Sequence, residues 1–260
     1  MLKVMILFSE AESALSAEQI AERLGATLST TYRDLQKLRQ YGFIEQILDD
    51  RFVLGGRISI LDRIARTTSP LLIAAGEEME RLSAETGLTV TLTRIYGNAI
   101  LGLGHVDGDS TLSIGYERGQ LVPLFRGCTG KVILAALPWR HLRKIFDGSK
   151  DDIRAAGLGE NWQQFRTNVR GFGSRPVLWT EGEVMPDNIA VATVLLAPSG
   201  MPLGSMTIIL RRAIEAVLDR TEIECKLIRS RHRIESGLAA GQPGKTGPSP
   251  QAHLPSASRS

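Results

Sequence analysis

Ser29, Thr30, Thr31, Tyr32 and Arg33 follow one another directly and concentrate hydrogen-bonding groups on one short stretch. Small hydroxyls can approach a phosphodiester closely, and a guanidinium beside them matches the two acceptors on a guanine edge. Lys37 and Arg39 continue the basic side, and Arg51, after the polar pair Asp49-Asp50, is available for a phosphate or the minor groove. Ser16, which opens the preceding helical segment, joins Ser29, Thr30, Thr31, Tyr32, Arg33, Lys37 and Arg51 as an expected nucleic-acid contact. Through Arg66 the acidic residues match the basic ones in number. Affinity would therefore depend on which way the charges face and on pairing two copies.

Other groupings invite chemistry that their surroundings do not support. Gly130-Lys131 suggests a phosphate loop, but Phe125 stands where its first glycine belongs and Val132 where a magnesium-binding hydroxyl is needed. Gly102-Leu103-Gly104 has Asp107 in place of the third glycine of a dinucleotide fingerprint. His105, Asp107 and Asp109 alternate around an expected turn without a further clustered ligand, so no metal is expected. Cys128 has no neighbouring histidine to act as base, and a small buried or pocket-lining thiol is the expectation. Trp162, Phe165 and Val169 recur at helical spacing and read as core.

These residues need elements to position them. Three helical segments come first, ending near Phe8, opening at Ser16, and running from about Leu28 to Tyr41. Ser16 with Gln19 three residues on is a capping box, and Gly25 and Gly42 stop the second and third segments. The strand-like runs Phe43–Ile47 and Arg51–Leu54 flank the Asp49-Asp50 turn. Two helices joined by a tight turn and followed by a two-stranded wing are the parts of a winged helix-turn-helix. An amphipathic stretch from Arg57 to about Arg66, with Ile58, Leu61, Ile64 and Ala65 on one side, ends before Ser69-Pro70.

From about Pro70 to Glu235 helices and strands mix. Leu71–Thr86 is helical in period; Thr89–Tyr96 and Ala99–Val106 alternate around Gly97-Asn98; Leu112–Ile114 reads as a third strand. Lys131–Leu137, Trp139–Phe146 and Asn161–Arg170 read as helices, Ile189–Leu196 and Gly204–Leu210 as strands, and Ile214–Ile234 as a closing helix. Helices segregated around an antiparallel sheet give an α+β class. Residues 237–260 are rich in Gly, Pro, Ser and Ala and are expected to form a disordered tail. The expected domains are thus 1–55, a linker helix over 56–69, a second domain over 70–236, and the tail.

With 260 residues, 43% apolar and 23% charged, the chain has room for two globular domains, and its formal charge of +3 with a pI near 9.0 is compatible with nucleic acid without demanding it. No apolar run reaches bilayer length, and Ser9-Glu10-Ala11-Glu12 stops the apolar start before a signal-peptide core forms. Two distant cysteines fit a reducing, cytoplasmic setting with no membrane partner.

The sequence resembles the IclR family of transcription regulators over nearly its whole length up to the tail. The stretches that carry the resemblance are Leu15–Gly25, Ser29–Arg33, Tyr41–Ile44, Arg51–Gly55, Gly119–Leu124 and Gly130–Pro138. The resemblance implies a GAF-like C-terminal domain that binds a small organic effector, often a carboxylic or aromatic acid. It also implies a dimer or tetramer on double-stranded operator DNA and more often repression than activation; no cofactor is expected. The family's pocket maps onto Phe125, Arg126, Gly127, Cys128 and Thr129, then Ala190, Ala192, Thr207 and Ile209. The sequence departs from the family at Thr27, where proline is usual, at Phe125, where histidine is common, at Ala190, a frequent cysteine, and at Pro186-Asp187-Asn188. The alternative from another class is a small-molecule-converting enzyme whose N-terminal helices only dimerise it.

Overall fold

The computed structural model describes residues 1–240 apart from Asp109, Ser110, Thr111, Ser113 and Tyr116. The chain folds as two compact units, Met1–Ser69 and Pro70 onward.

In the first unit a 3-10 helix, Leu2–Leu7, precedes β1 (Leu15–Ser16), α1 (Ala17–Leu24), α2 (Leu28–Gln40), β2 (Ile44–Gln46), β3 (Arg51–Leu54) and α3 (Arg57–Thr68). The capping box forms: the Gln19 N–H donates to Ser16 Oγ at 3.3 Å, and the Ser16 N–H donates to Gln19 Oε1 at 2.9 Å. Gly25, at φ 61°, ends α1 in the left-handed region. Strand β1 has too few residues to show a period and was not expected; it pairs Leu15 with Phe52 and Ser16 with Arg51, completing a sheet of order β1-β3-β2. Val4, Leu15, Ile20, Leu35, Leu38, Ile44 and Phe52 form the core.

Gly55 sits where any Cβ would overlap the Gly42 carbonyl. Gly55→Ala is therefore expected to cost about 1–3 kcal/mol, measurable as a lower denaturation midpoint of the first unit.

The second unit is built on a six-stranded antiparallel sheet. Its strands are β4 (Thr89–Tyr96), β5 (Ala99–Val106), β6 (Leu121–Val122), β7 (Leu178–Glu181), β8 (Asn188–Leu196) and β9 (Pro202–Arg211), in the order β6-β5-β4-β9-β8-β7. The strand beside β5 is thus Leu121–Val122; Leu112 and Ile114 carry no strand, and Ser113 lies outside the described residues. Side chains alternate across the sheet. Val90, Leu92, Val191, Met206 and Ile208 pack against α4 (Pro70–Thr86) and α9 (Arg220–Ala240). The opposite parity faces α5 (Gly127–Ala136): Thr207 meets Thr129, and Ala192 packs on Cys128 and Val132.

Three further helices, α6 (Trp139–Gly148), α7 (Lys150–Ala155) and α8 (Trp162–Phe172), enclose a second apolar cluster around Phe146, Phe165 and Val169. The Trp162, Phe165 and Val169 stripe is core, as its spacing predicts. Helix α9 runs to Ala240, past the composition boundary at Ser236, because Leu238 packs against the main core. Residues 241–260, the rest of the expected tail, lie outside the described residues.

Candidate functional site

Helix α2 presents one edge to solvent. Ser29, Tyr32, Arg33, Gln36, Arg39 and Gln40 share an open depression of about 670 Å³ with Gln46 of β2 and Phe52 of β3. Arg33 makes no hydrogen bond among the described residues, so its five donors are free for a ligand. Arg39 donates to Gln46 Oε1, and Gln46 Nε2 donates to Asp50 Oδ1 at 2.7 Å, which ties the edge of α2 to the β2–β3 turn. At that turn Asp49 (φ 62°) and Asp50 (φ 52°) are both left-handed, and Arg51 is exposed just beyond them. Lys37 is exposed on α2.

Three of the residues expected to contact nucleic acid do not offer a free, exposed hydroxyl. Thr31 is 2% exposed and packs inward with Leu35 and Leu38, so it does not reach the surface. Ser16 spends its hydroxyl on the α1 cap, and Thr30 is exposed but its hydroxyl bonds Thr27 Oγ1 at 3.0 Å.

In the second unit Arg126, Gly127, Cys128, Thr129, Ala190 and Ile209 line one cleft. The other expected lining residues do not. Phe125 turns away into the α6–α8 cluster, 6.4 Å from the Phe165 ring. Ala192 and Thr207 are fully buried between sheet and helix, with Thr207 Oγ1 3.0 Å from Thr129 Oγ1.

Helix α5 begins at Gly127, a full turn before the expected start at Lys131. Gly127, Cys128 and Thr129 thus form its first turn, whose N–H groups lack intrahelical partners. Loop residues answer them: the Gly127 N–H donates to Glu183 Oε2 at 2.9 Å, and the Cys128 N–H to Thr180 Oγ1 at 3.0 Å. Lys131, its side chain only 12% exposed, pairs with the same Glu183 carboxylate, bonding Oε1 at 2.6 Å. An internal carboxylate therefore already occupies the one place where helix dipole and lysine would favour an anion. Val184 closes over Gly127, and the remaining cavity is about 40 Å³, room for a water molecule rather than a ring. Glu183, Thr180 and the pairing of Lys131 were missed from sequence; their link spans 52 positions with no local signal.

Burial pushes the Cys128 thiol up to about 11, so it holds its proton at neutral pH and is no nucleophile. In native protein a disulfide reagent is expected to label exposed Cys225 and to reach Cys128 only on unfolding, which thiol counting with and without denaturant checks. His105 Nε2 lies 3.5 Å from Asp107 Oδ1; Asp109 is outside the described residues, and among those described no three such groups cluster as for a metal. No described helix is long and apolar enough to cross a membrane.

The comparisons with known proteins bear on both units. Residues 1–47 match the IclR helix-turn-helix domain, and residues 65–157 match the bacterial transcriptional regulator IclR C-terminal family. The uncharacterized HTH-type transcriptional regulator RhmR of Escherichia coli is 29% identical over 133 residues, 51% of this chain and 51% of RhmR, so the match spans about half that relative's length. A transcriptional regulator from Rhodococcus sp. RHA1 shares the fold with a TM-score of 0.72 at 20% identity, over 92% of this chain and 96% of that one. An IclR homolog from Microbacterium hydrocarbonoxydans, solved in complex with 4-hydroxybenzoate, does so with a TM-score of 0.69 at 17% identity, over 92% and 97%. The matching families and relatives are transcriptional regulators rather than enzymes. With both of its characteristic domains in order, the chain belongs to the IclR family of bacterial transcriptional regulators.

Proposed function

We propose that this regulator binds operator DNA as a dimer or tetramer and that a small organic acid, carboxylic or aromatic, modulates that binding. The observation that carries the DNA reading is the exposed α2 edge, where Ser29, Tyr32 and the unbonded Arg33 lie beside a wing that ends in Arg51. In this reading α2 enters a major groove, Arg33 reads a base, and Ser29 and Lys37 hold phosphates. On a duplex that the wild type selects, Arg33→Ala is expected to lose about 1–3 kcal/mol and to relax preference at one base pair. Ser29→Ala should weaken all duplexes alike. Unchanged selectivity in Arg33→Ala, measured by competition between duplexes, would remove Arg33 from the reading surface.

The acid reading rests on Glu183. Its carboxylate takes the Gly127 N–H and Lys131, which are the contacts an acid effector needs. The effector in this reading displaces Glu183, and the segment carrying Val184 and Met185 withdraws to make room. The 4-hydroxybenzoate held by the Microbacterium homolog has the required pairing of carboxylate and ring. A ligand that binds only the opened cleft shifts the domain toward that form, and with it the arrangement of a DNA-bound dimer.

A further inference from the structure

A second cavity lies at the other end of α5, outside the cleft around Gly127. Its volume is about 190 Å³, and Ile100, Leu124, Ile133 and Ile145 supply its walls. Ile100, Ile133 and Ile145 are each at most 5% exposed, so the floor is hydrocarbon. An apolar cavity of about 150 Å³ is already large enough to take a benzene ring.

The hydrogen-bonding side chains on the lining are Asn98, in the β4–β5 turn, and His141, on α6. Both are exposed, and neither side chain makes a hydrogen bond among the described residues. No Asp, Glu, Lys or Arg lines the cavity, so a charged group would lose its hydration without compensation. An apolar chamber with a polar mouth is the usual form of a small-molecule site.

One layer of side chains separates the two sites. Ile100 and Ile133 pack with Val122 in a single cluster; Ile100 and Val122 are cross-strand partners, and Val122 lines the first cleft.

We propose that this cavity is a second binding site, for an uncharged single-ring molecule carrying one hydroxyl or amide, with the ring on Ile100 and Ile133 and the polar group at Asn98 and His141. The proposal stands apart from the organic-acid reading of the first cleft, whose ligand would be charged.

Phenol and toluene serve as probes on the full chain. At saturation each is expected to raise the melting temperature by about 2–4 °C. Ile95, the cross-strand partner of Ile100 on the same face, also lines the cavity and is only partly buried, so it offers a filling variant. Ile95→Trp should abolish both shifts while leaving DNA binding without ligand intact, and His141→Ala should weaken phenol several-fold and toluene little. Cys128→Leu, which fills the first cleft, should leave both shifts unchanged. No shift in the wild type, as when a second copy covers the mouth, overturns the proposal. So does an undiminished shift in folded Ile95→Trp, and a loss confined to Cys128→Leu would place the probe in the first cleft instead.

Discussion

Replacing Leu61 and Ile64 together by glutamate is expected to give a folded monomer whose affinity for a two-half-site duplex falls about 100-fold or more. Helix α3 has no buried residue, yet Ile60, Leu61 and Ile64 lie on it 51%, 43% and 50% exposed. A helix keeps such a stripe when another surface covers it, and three large aliphatic side chains left in water are a cost without return. In the same unit Leu2 and Ile6 of the 3-10 helix are also exposed. Because the unit's own core excludes α3, the variant should still fold, losing only the concentration-dependent part of its thermal stability that association supplies. Sedimentation velocity reads the association state and a duplex titration reads the affinity. A dimer that survives both substitutions with unaltered affinity would move the interface elsewhere.

The second large effect is expected at Glu183. Glu183→Gln keeps the shape and an acceptor for the Gly127 N–H but removes the charge that neutralises Lys131. A benzoate carboxylate would then face an unpaired, mostly buried ammonium and the α5 N-terminus. Charge-assisted hydrogen bonds of this kind contribute about 1.5–3 kcal/mol, so benzoate should bind about 10–100-fold more tightly than to wild type. The same variant should be less stable without ligand, since its lysine has lost its partner, and benzoate should restore the loss. Calorimetry of benzoate binding to both proteins decides the matter. Equal affinities would mean that the carboxylate of Glu183 and that of a ligand do not compete for one place.

Much of this architecture was legible in the sequence, and the misreadings have physical causes. The capping box at Ser16 and the stop at Gly25 are local signals, and α1 begins and ends on them. The Thr31 hydroxyl suggests a DNA contact, yet the residue lies four positions before Leu35 and seven before Leu38, on the inward stripe of α2. Its position on the helix, rather than its chemistry, decides where it faces. Gly127 and Gly130 hid the first turn of α5, because glycine weakens a helix pattern. The turn forms all the same: a side chain at Gly130 would overlap the Leu124 carbonyl, so close packing requires glycine there.

The pocket strands were readable by parity. Ala190, Ala192, Thr207 and Ile209 do share the α5 face, but depth along the strands, which parity cannot give, leaves only Ala190 and Ile209 on the cleft. Strand β7 is a half-buried edge without alternation, so neither it nor the carboxylate that follows it left a signal.

Sequence-selective DNA recognition by α2 can be read from the full chain in one selection experiment. The full chain is offered a pool of random-sequence duplexes, and the retained fraction is sequenced after washes at low and high salt. Recognition by α2 should enrich two related half-sites about 10 base pairs apart or a multiple of that, with overall retention falling steeply as salt rises. Retention that is blind to sequence at every salt concentration, or no retention at all, would contradict it.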